Sequence, residues 1–240
     1  MKYAIVTGGT KGIGKQIVCD LLKRGYFVFT NYAHDEIAAQ TSFLEFQKIS
    51  PNIKIEKADQ ADLKVFSQFI ETIKRNTGSL DCLVLNTGIT LKKDLKDISN
   101  AEWEKVMQVN VNSHFYLIRD LAPMISENGR IIFIGSLLGD LPHATSLIYG
   151  VTKSAIHAMA KNLVKYFAGK KITVNTIAPG FVETDWQKDK PIEIRNNILR
   201  NTAIKRFATV EEVSNTCLFL IDNEYINGSV IEVNGGYSYK

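Results

Sequence analysis

The sequence predicts an α/β protein built on one doubly wound parallel sheet of about seven strands, with helices on both faces. Three observations carry this. Short runs rich in Val, Ile and Phe alternate with stretches whose apolar residues recur at three- and four-residue spacing. The runs lack the strict in–out alternation of a half-exposed strand, the pattern of strands covered on both faces. The first run opens into a glycine-rich turn and then at once into a helical pattern, the start of a strand–helix–strand unit with a right-handed crossover.

The strands are expected at 3–6 (YAIV), 26–30 (YFVFT), 53–57 (IKIEK), 82–85 (CLVL), 130–135 (RIIFIG), 172–177 (ITVNTI) and 229–233 (SVIEV). Helical spacing is clear for Ile13, Ile17, Leu21 and Leu22, and again for Leu63, Phe66, Phe69, Ile70 and Ile73. It weakens over 181–208, which reads either as a lid or binding loop or as a small helical pair at the sheet edge; the two are compatible. No linker, repeat or low-complexity stretch divides residues 1–240, so the chain reads as a single domain with a substrate-loop region at about 181–208.

Composition narrows the function. The 240 residues are 45% apolar and 22% charged, the mix of an ordinary globular domain. The net charge of +4 is spread along the chain, without the basic stripe of a nucleic-acid binder. Cys19, Cys82 and Cys217 are odd in number, far apart and set among apolar residues, as buried thiols in a reducing compartment would be. His34, His114, His143 and His157 show no ligand spacing, so no metal site is expected. The first strand follows Met1-Lys2 directly, leaving no room for a leader, and no apolar run approaches the roughly 18 residues of a membrane helix. A cytoplasmic protein with no membrane partner is expected.

Two stretches carry chemistry. In TGGTKGIG, residues 7–14, Gly8, Gly12 and Gly14 are spaced G-x-x-x-G-x-G, with Thr10, Lys11 and Ile13 completing the loop. Such glycines let the chain turn tightly and bring backbone N–H groups to a pyrophosphate at a helix N-terminus. Alone the trio is only a tight turn; between a first strand and a first helix it is a dinucleotide site. In YGVTK, residues 149–153, Tyr149 and Lys153 stand one helical turn apart and share a face. A phenol titrates near 10 and is a poor acid at neutrality. A neighbouring ammonium favours the phenolate and lowers that value.

With these two stretches the chain resembles the short-chain dehydrogenase/reductase family, nearly end to end. LNTG 85–88, VNVNSHF 109–115, IGS 134–136, APGFVETD 178–185 and NGSVIEVNGG 227–236 extend the likeness in order. The resemblance implies a Rossmann-type fold and hydride transfer between a nicotinamide and a carbonyl or alcohol. It implies a catalytic set of Asn110, Ser136, Tyr149 and Lys153. Tyr149 would supply the proton and Ser136 hold the substrate oxygen. Lys153 would stabilise the phenolate and hold the nicotinamide ribose. Asn110 would kink its helix and hold a water linking Lys153 to solvent. Taken singly, Ser136 reads as a strand-end cap, Asn110 as a partner for a buried carbonyl and Tyr149–Lys153 as a surface pair. It is the joint match that makes them catalytic.

For the cofactor, the resemblance places Asp59 and Gln60 beside the adenine. Asn86, Gly88, Pro179 and Gly180 would line the dinucleotide, and Val182 and Thr184 would meet the carboxamide. The second strand closes on Thr30 and Asn31 where an acid would grip a ribose 2′-hydroxyl, and the first acid, Asp35, reads as the opening of the next helix. With Lys11 available for a 2′-phosphate, NADPH is expected over NADH.

Within the family the chain is most similar to bacterial 3-oxoacyl-[acyl-carrier-protein] reductases, through NTGIT 86–90, APGFVETD, IKRFATVEEV 204–213 and YINGSVIEVNGG. It departs from them at Leu85, Thr87 and Thr202-Ala203, and at Glu127, where a basic residue would grip an acidic carrier; Lys170 keeps its charge. Three functions are therefore carried: an NADPH-dependent 3-oxoacyl thioester reductase of fatty acid synthesis with acyl carrier protein as a partner, a reductase or dehydrogenase of another small carbonyl or alcohol (a sugar, steroid or ketone), and a dinucleotide-binding sensor without turnover. The apolar 137–148 loop fits an acyl chain or a steroid, and His143 is a candidate substrate contact within it. The family further implies a homotetramer through helices at about 100–118 and 150–167.

Overall fold

The computed structural model describes residues 1–142 and 146–237. Its first half runs β1 (Lys2–Val6), α1 (Gly12–Lys23), β2 (Tyr26–Tyr32), α2 (Glu36–Ile49), β3 (Ile53–Lys57), α3 (Leu63–Asn76) and β4 (Leu80–Leu85). There follow α4 (Asn100–Met107), α5 (Ser113–Leu121), β5 (Ile125–Ile134), α6 (Leu147–Tyr166), β6 (Thr173–Pro179), α7 (Asp185–Lys188), α8 (Ile192–Asn201), α9 (Val210–Asp222) and β7 (Val230–Val233). The seven strands form one sheet in the order β3-β2-β1-β4-β5-β6-β7, and every neighbouring pair is parallel.

The missing alternation in the strands has its cause here. Successive side chains of a strand point to opposite faces, and both faces of this sheet are covered. Ile5, Phe29, Leu83 and Phe133 pack on one side with Phe66, Phe69, Leu117 and Ile156 of α3, α5 and α6. Ala4, Val6, Val28, Val84 and Ile132 pack on the other with Ile17, Leu21, Val213 and Leu220 of α1 and α9. Burial of this apolar surface, at roughly 25 cal/mol per Å², is the main force holding the layers together.

Helix ends follow local chemistry. Asp35 caps α2 by accepting from the Ala38 N–H at 2.9 Å, and Asp62 caps α3 through Lys64 and Val65. Ser99 with Glu102 and Thr209 with Glu212 form capping boxes at α4 and α9, each cap worth about 1 kcal/mol. The helix expected over 100–118 is interrupted by a π turn at Gln108–Asn112, with Asn110 inside it. The 181–208 region resolves into the helical pair α7 and α8. Its two ends are tied by a parallel bridge between Val182 and Ala208. Among the described residues no helix is long and apolar enough to cross a membrane. All three cysteines are free.

The strand order reverses between β1 and β4. A crevice therefore opens at the carboxyl ends of those strands, where open α/β sheets bind ligands.

Candidate active site

A cleft of about 290 Å³ occupies this crevice. One wall is the loop after β1, with Gly8, Lys11, Gly12 and Ile13. Asn86, Thr87 and Gly88 after β4 form the next. Ser136 after β5 and Tyr149 and Lys153 of α6 face Pro179, Gly180, Val182 and Thr184 after β6.

The glycine loop has its shape for steric reasons. Gly8 and Gly12 hold φ of +63° and +52°, a region other residues avoid. A Cβ on Gly14 would stand 2.5 Å from the Gly8 carbonyl oxygen. The loop is fastened from behind. The Asn31 Oδ1 accepts from the Gly8 N–H at 3.2 Å and Thr30 Oγ1 from Gly9 at 2.9 Å. Asn86 Nδ2 donates to the Thr7 and Gly8 carbonyls at 2.9 and 3.2 Å. The Thr10 carbonyl accepts from Ser42 at 2.8 Å. Thr10, Gly14 and Asn31 thus build the loop from outside the cleft wall, while Asn86 both braces and lines it.

Two residues expected beside the adenine are otherwise engaged. Asp59 caps the Ala61 N–H at 2.9 Å and lies 3.1 Å from the exposed His34. Gln60 is buried and turns inward, donating to Ser113 Oγ at 2.6 Å. Lys11, at the rim, pairs with Asp35, which also caps α2. Spacing gives no sign of that ion pair, because its partners are on separate elements.

Ser136 and Tyr149 line the cleft together, and the Ser136 hydroxyl favours the Tyr149 phenolate. The Tyr149 phenol is nevertheless pushed up to about 12, because burial outweighs that influence. Lys153 is buried and held down to about 7 by desolvation. Its Nζ donates to the Ile134 carbonyl at 2.7 Å and lies 5.4 Å from the centre of the Tyr149 ring. Lys153 crosses the ring face and bonds to the β5 backbone, and in this geometry burial is the dominant influence on the phenol. Asn110 sits in the π turn, but its side chain is fully engaged as a clamp. Oδ1 accepts from the Ile89 N–H at 2.8 Å, and Nδ2 donates to the Ile89 carbonyl at 2.9 Å and to Thr152 Oγ1 at 3.0 Å. That clamp ties the loop after β4 to α6.

Sequence reasoning missed Trp186, which meets Tyr149 edge-on at 6.1 Å and lines the cleft with Asp185 and Gln187. An aromatic residue just beyond the Pro179-Gly180 turn was the available signal. His143 lies outside the described residues. Glu127 and Lys170 are exposed at the amino ends of β5 and β6, opposite the cleft. The charge inversion at Glu127 thus falls away from the mouth of the site.

A family model described as enoyl-(acyl carrier protein) reductase matches residues 8–238. The chain is 31% identical over 239 residues to 3-oxoacyl-[acyl-carrier-protein] reductase FabG of Staphylococcus aureus, covering 98% of this chain and 97% of that one. A short-chain dehydrogenase/reductase from Serratia marcescens superposes with a TM-score of 0.93 at 29% identity, over 99% and 98% of the two chains. A short-chain dehydrogenase from Burkholderia cenocepacia, solved in complex with NADP, gives 0.90 at 26% identity over 98% and 96%. The chain belongs to the short-chain dehydrogenase/reductase family and is an oxidoreductase.

Proposed function

We propose that the protein is an NADPH-dependent carbonyl reductase acting on 3-oxoacyl thioesters, as in fatty acid synthesis. The observation that carries this reading is the meeting, in one cleft, of a glycine loop closed to a Cβ at Gly8 and Gly14 with a Ser136–Tyr149–Lys153 cluster. When bound, the nicotinamide supplies the hydride. The protein's own residues do the rest. Ser136 and Tyr149, both lining the cleft, hold the substrate carbonyl oxygen between two hydroxyls and stabilise the charge that grows there. A neutral phenol is the proton donor such an oxygen needs, and burial keeps Tyr149 neutral until that charge appears. Lys153 holds the nicotinamide ribose and favours the phenolate once the proton has left. Asn110 keeps the Gly88 loop against α6.

NADPH is favoured by the rim. β2 closes on Thr30, Asn31 and Tyr32 without an acid, and Asp35 is drawn to Lys11 and to the α2 N-terminus. A 2′-phosphate would compete with Asp35 for Lys11. The thioester substrate is supported by the full-length likeness to the Staphylococcus enzyme. Acyl carrier protein is then a partner, the cytoplasm the location, and a homotetramer the assembly. Exposed Phe115, Leu147 and Val151 on α5 and α6 are consistent with a helix-packed interface. A different small carbonyl is the second reading, favoured by the bulky Trp186 over Tyr149, which narrows the cleft.

The test is NADPH consumption with acetoacetyl-carrier protein and with acetoacetyl-coenzyme A, NADH being run in parallel. Fast turnover with NADPH and the carrier substrate is expected. No turnover with either thioester, in protein that binds NADPH, would move the assignment to the second reading.

A further inference from the structure

His157 lies on α6 one turn beyond Lys153 and two beyond Tyr149, on the same face of the helix. Its ring is buried at 4% exposure, and the chemistry above makes no use of it. The ring fills a slot that two glycines leave open. A Cβ on Gly135 would stand 2.4 Å from His157 Nε2, and one on Gly139 would stand 2.5 Å from Cε1. Those glycines bracket Ser136: Gly135 precedes it, and Gly139 ends the single 3-10 turn Leu137–Gly139.

The turn has further fastenings to the same helix and to itself. The Gly139 N–H donates to the Ser136 carbonyl at 2.9 Å, Ser136 Oγ accepts from the Leu138 N–H at 3.1 Å, and Ser154 of α6 donates to the Gly139 carbonyl. Just past the turn, the Asp140 carboxylate lies 3.3 Å from His157 Nδ1. The other charged groups near the ring are Lys153 and Lys161, both on α6. Burial and the two lysines favour the neutral imidazole, while Asp140 opposes them.

We propose that His157 is a positioning residue: gripped between Gly135 and Gly139 and facing Asp140, its ring sets the Ser136 hydroxyl against Tyr149. The inference rests on the reading of Ser136 and Tyr149 as catalytic. His157 touches neither substrate nor cofactor and acts through the turn. A Cβ on Gly135 would also stand 2.7 Å from Thr176 Cγ2, whereas the three nearest atoms to one on Gly139 all belong to His157, so it is the tolerance of Gly139 to substitution that depends on residue 157.

The experiment measures kcat, KM and NADPH affinity for His157→Ala, His157→Asn, Gly139→Ala and the double variant Gly139→Ala/His157→Ala, with Tyr149→Phe alongside. His157→Ala is expected to lower kcat by about tenfold or more, since misplacement of a reacting group by about 1 Å costs up to about a hundredfold. NADPH affinity stays within about twofold, because the glycine loop is untouched. His157→Asn, which retains a polar atom toward Asp140, recovers part of the loss. Gly139→Ala is expected to be severe alone and mild when His157 is Ala, because only the His157 ring stands in the way of its methyl group. An equal factor in both backgrounds, or an unchanged kcat in His157→Ala, overturns the proposal. Should His157→Ala fail to fold, Asp140→Asn decides, since Asp140 is half exposed. A several-fold lower kcat at constant KM and melting temperature supports the proposal; an unchanged kcat overturns it. Turnover retained in Tyr149→Phe would instead sink the catalytic reading, a result separable from any lack of coupling between positions 139 and 157.

Discussion

Two glycine-bearing turns border the cleft, and they need their glycines for different reasons. In the loop after β1 the constraint includes the backbone itself: Gly14 must clear the Gly8 carbonyl as well as Asn86, and Gly8 must take a left-handed φ. In the turn after β5 the constraint is side chains from elsewhere: Gly139 clears the ring of His157, and Gly135 clears that ring and Thr176. The first turn is braced by Thr7, Thr30, Asn31 and Asn86 from the strands around it. The second depends on where α6 sits. A loop closed by backbone sterics needs its glycines in any context, whereas one wedged by a side chain can be relieved by a second substitution.

The largest effect separates the regions by function. Tyr149→Phe should cut kcat by roughly 10²- to 10⁴-fold while NADPH binding stays normal, since only the proton donor in the second region is lost. Equal loss of binding, read by cofactor titration, would mean that the regions are not independent. Gly14→Ala should do the reverse. Its methyl group meets the Gly8 backbone at 2.5 Å as well as the Asn86 side chain, so destabilisation of about 1–3 kcal/mol and at least about tenfold weaker NADPH binding are expected. No second substitution at a single side chain should rescue it. A rescued Gly14→Ala would erase the contrast.

Smaller effects sharpen it. Lys11→Glu should reduce the preference for NADPH over NADH by about tenfold or more, the range of a lost charged hydrogen bond. Equal weakening of both cofactors in steady-state assays would take Lys11 out of 2′-phosphate recognition. The smallest prediction concerns a second buried imidazole. His114 packs on Phe133 one turn beyond Asn110, and burial and Lys153 hold it down to about 3. The unfolded chain takes up its proton near pH 6.5 and the folded chain does not. The unfolded state thus binds more protons between about pH 6.5 and 3, and stability falls as pH falls through that window. His114→Leu should flatten the fall in urea midpoint between pH 7 and 4.5. An unchanged slope would assign the acid sensitivity to other groups.

Much of this was legible because it is local. All seven strands lie where their apolar runs are, with boundaries moved by up to five residues at the start of β5. The π turn falls at Asn110, and the 181–208 region is both helical and part of the cleft wall. What escaped sequence reasoning depends on elements meeting. Lys11 and Asp35 are 24 residues apart and pair only because β1 and β2 lie side by side. Gln60 turns inward because Ser113 stands behind it. Trp186 lies over Tyr149 because the 181–208 segment folds back across the crevice.

The sequence by itself determined the strand set, the glycine loop and the pairing of Tyr149 with Lys153 on one helical face. Continuous apolar runs mark the strands, glycine spacing marks the loop, and a helix that repeats every 3.6 residues brings Tyr149 and Lys153 to one face. Only the tertiary structure decided the electrostatics and the supports. Burial, not the neighbouring ammonium, dominates the Tyr149 phenol, and the Ile134 carbonyl holds Lys153. The slot for His157 exists only where β5 and α6 are packed together. Desolvation and clearance are properties of what surrounds a group in space, and chain order does not carry them.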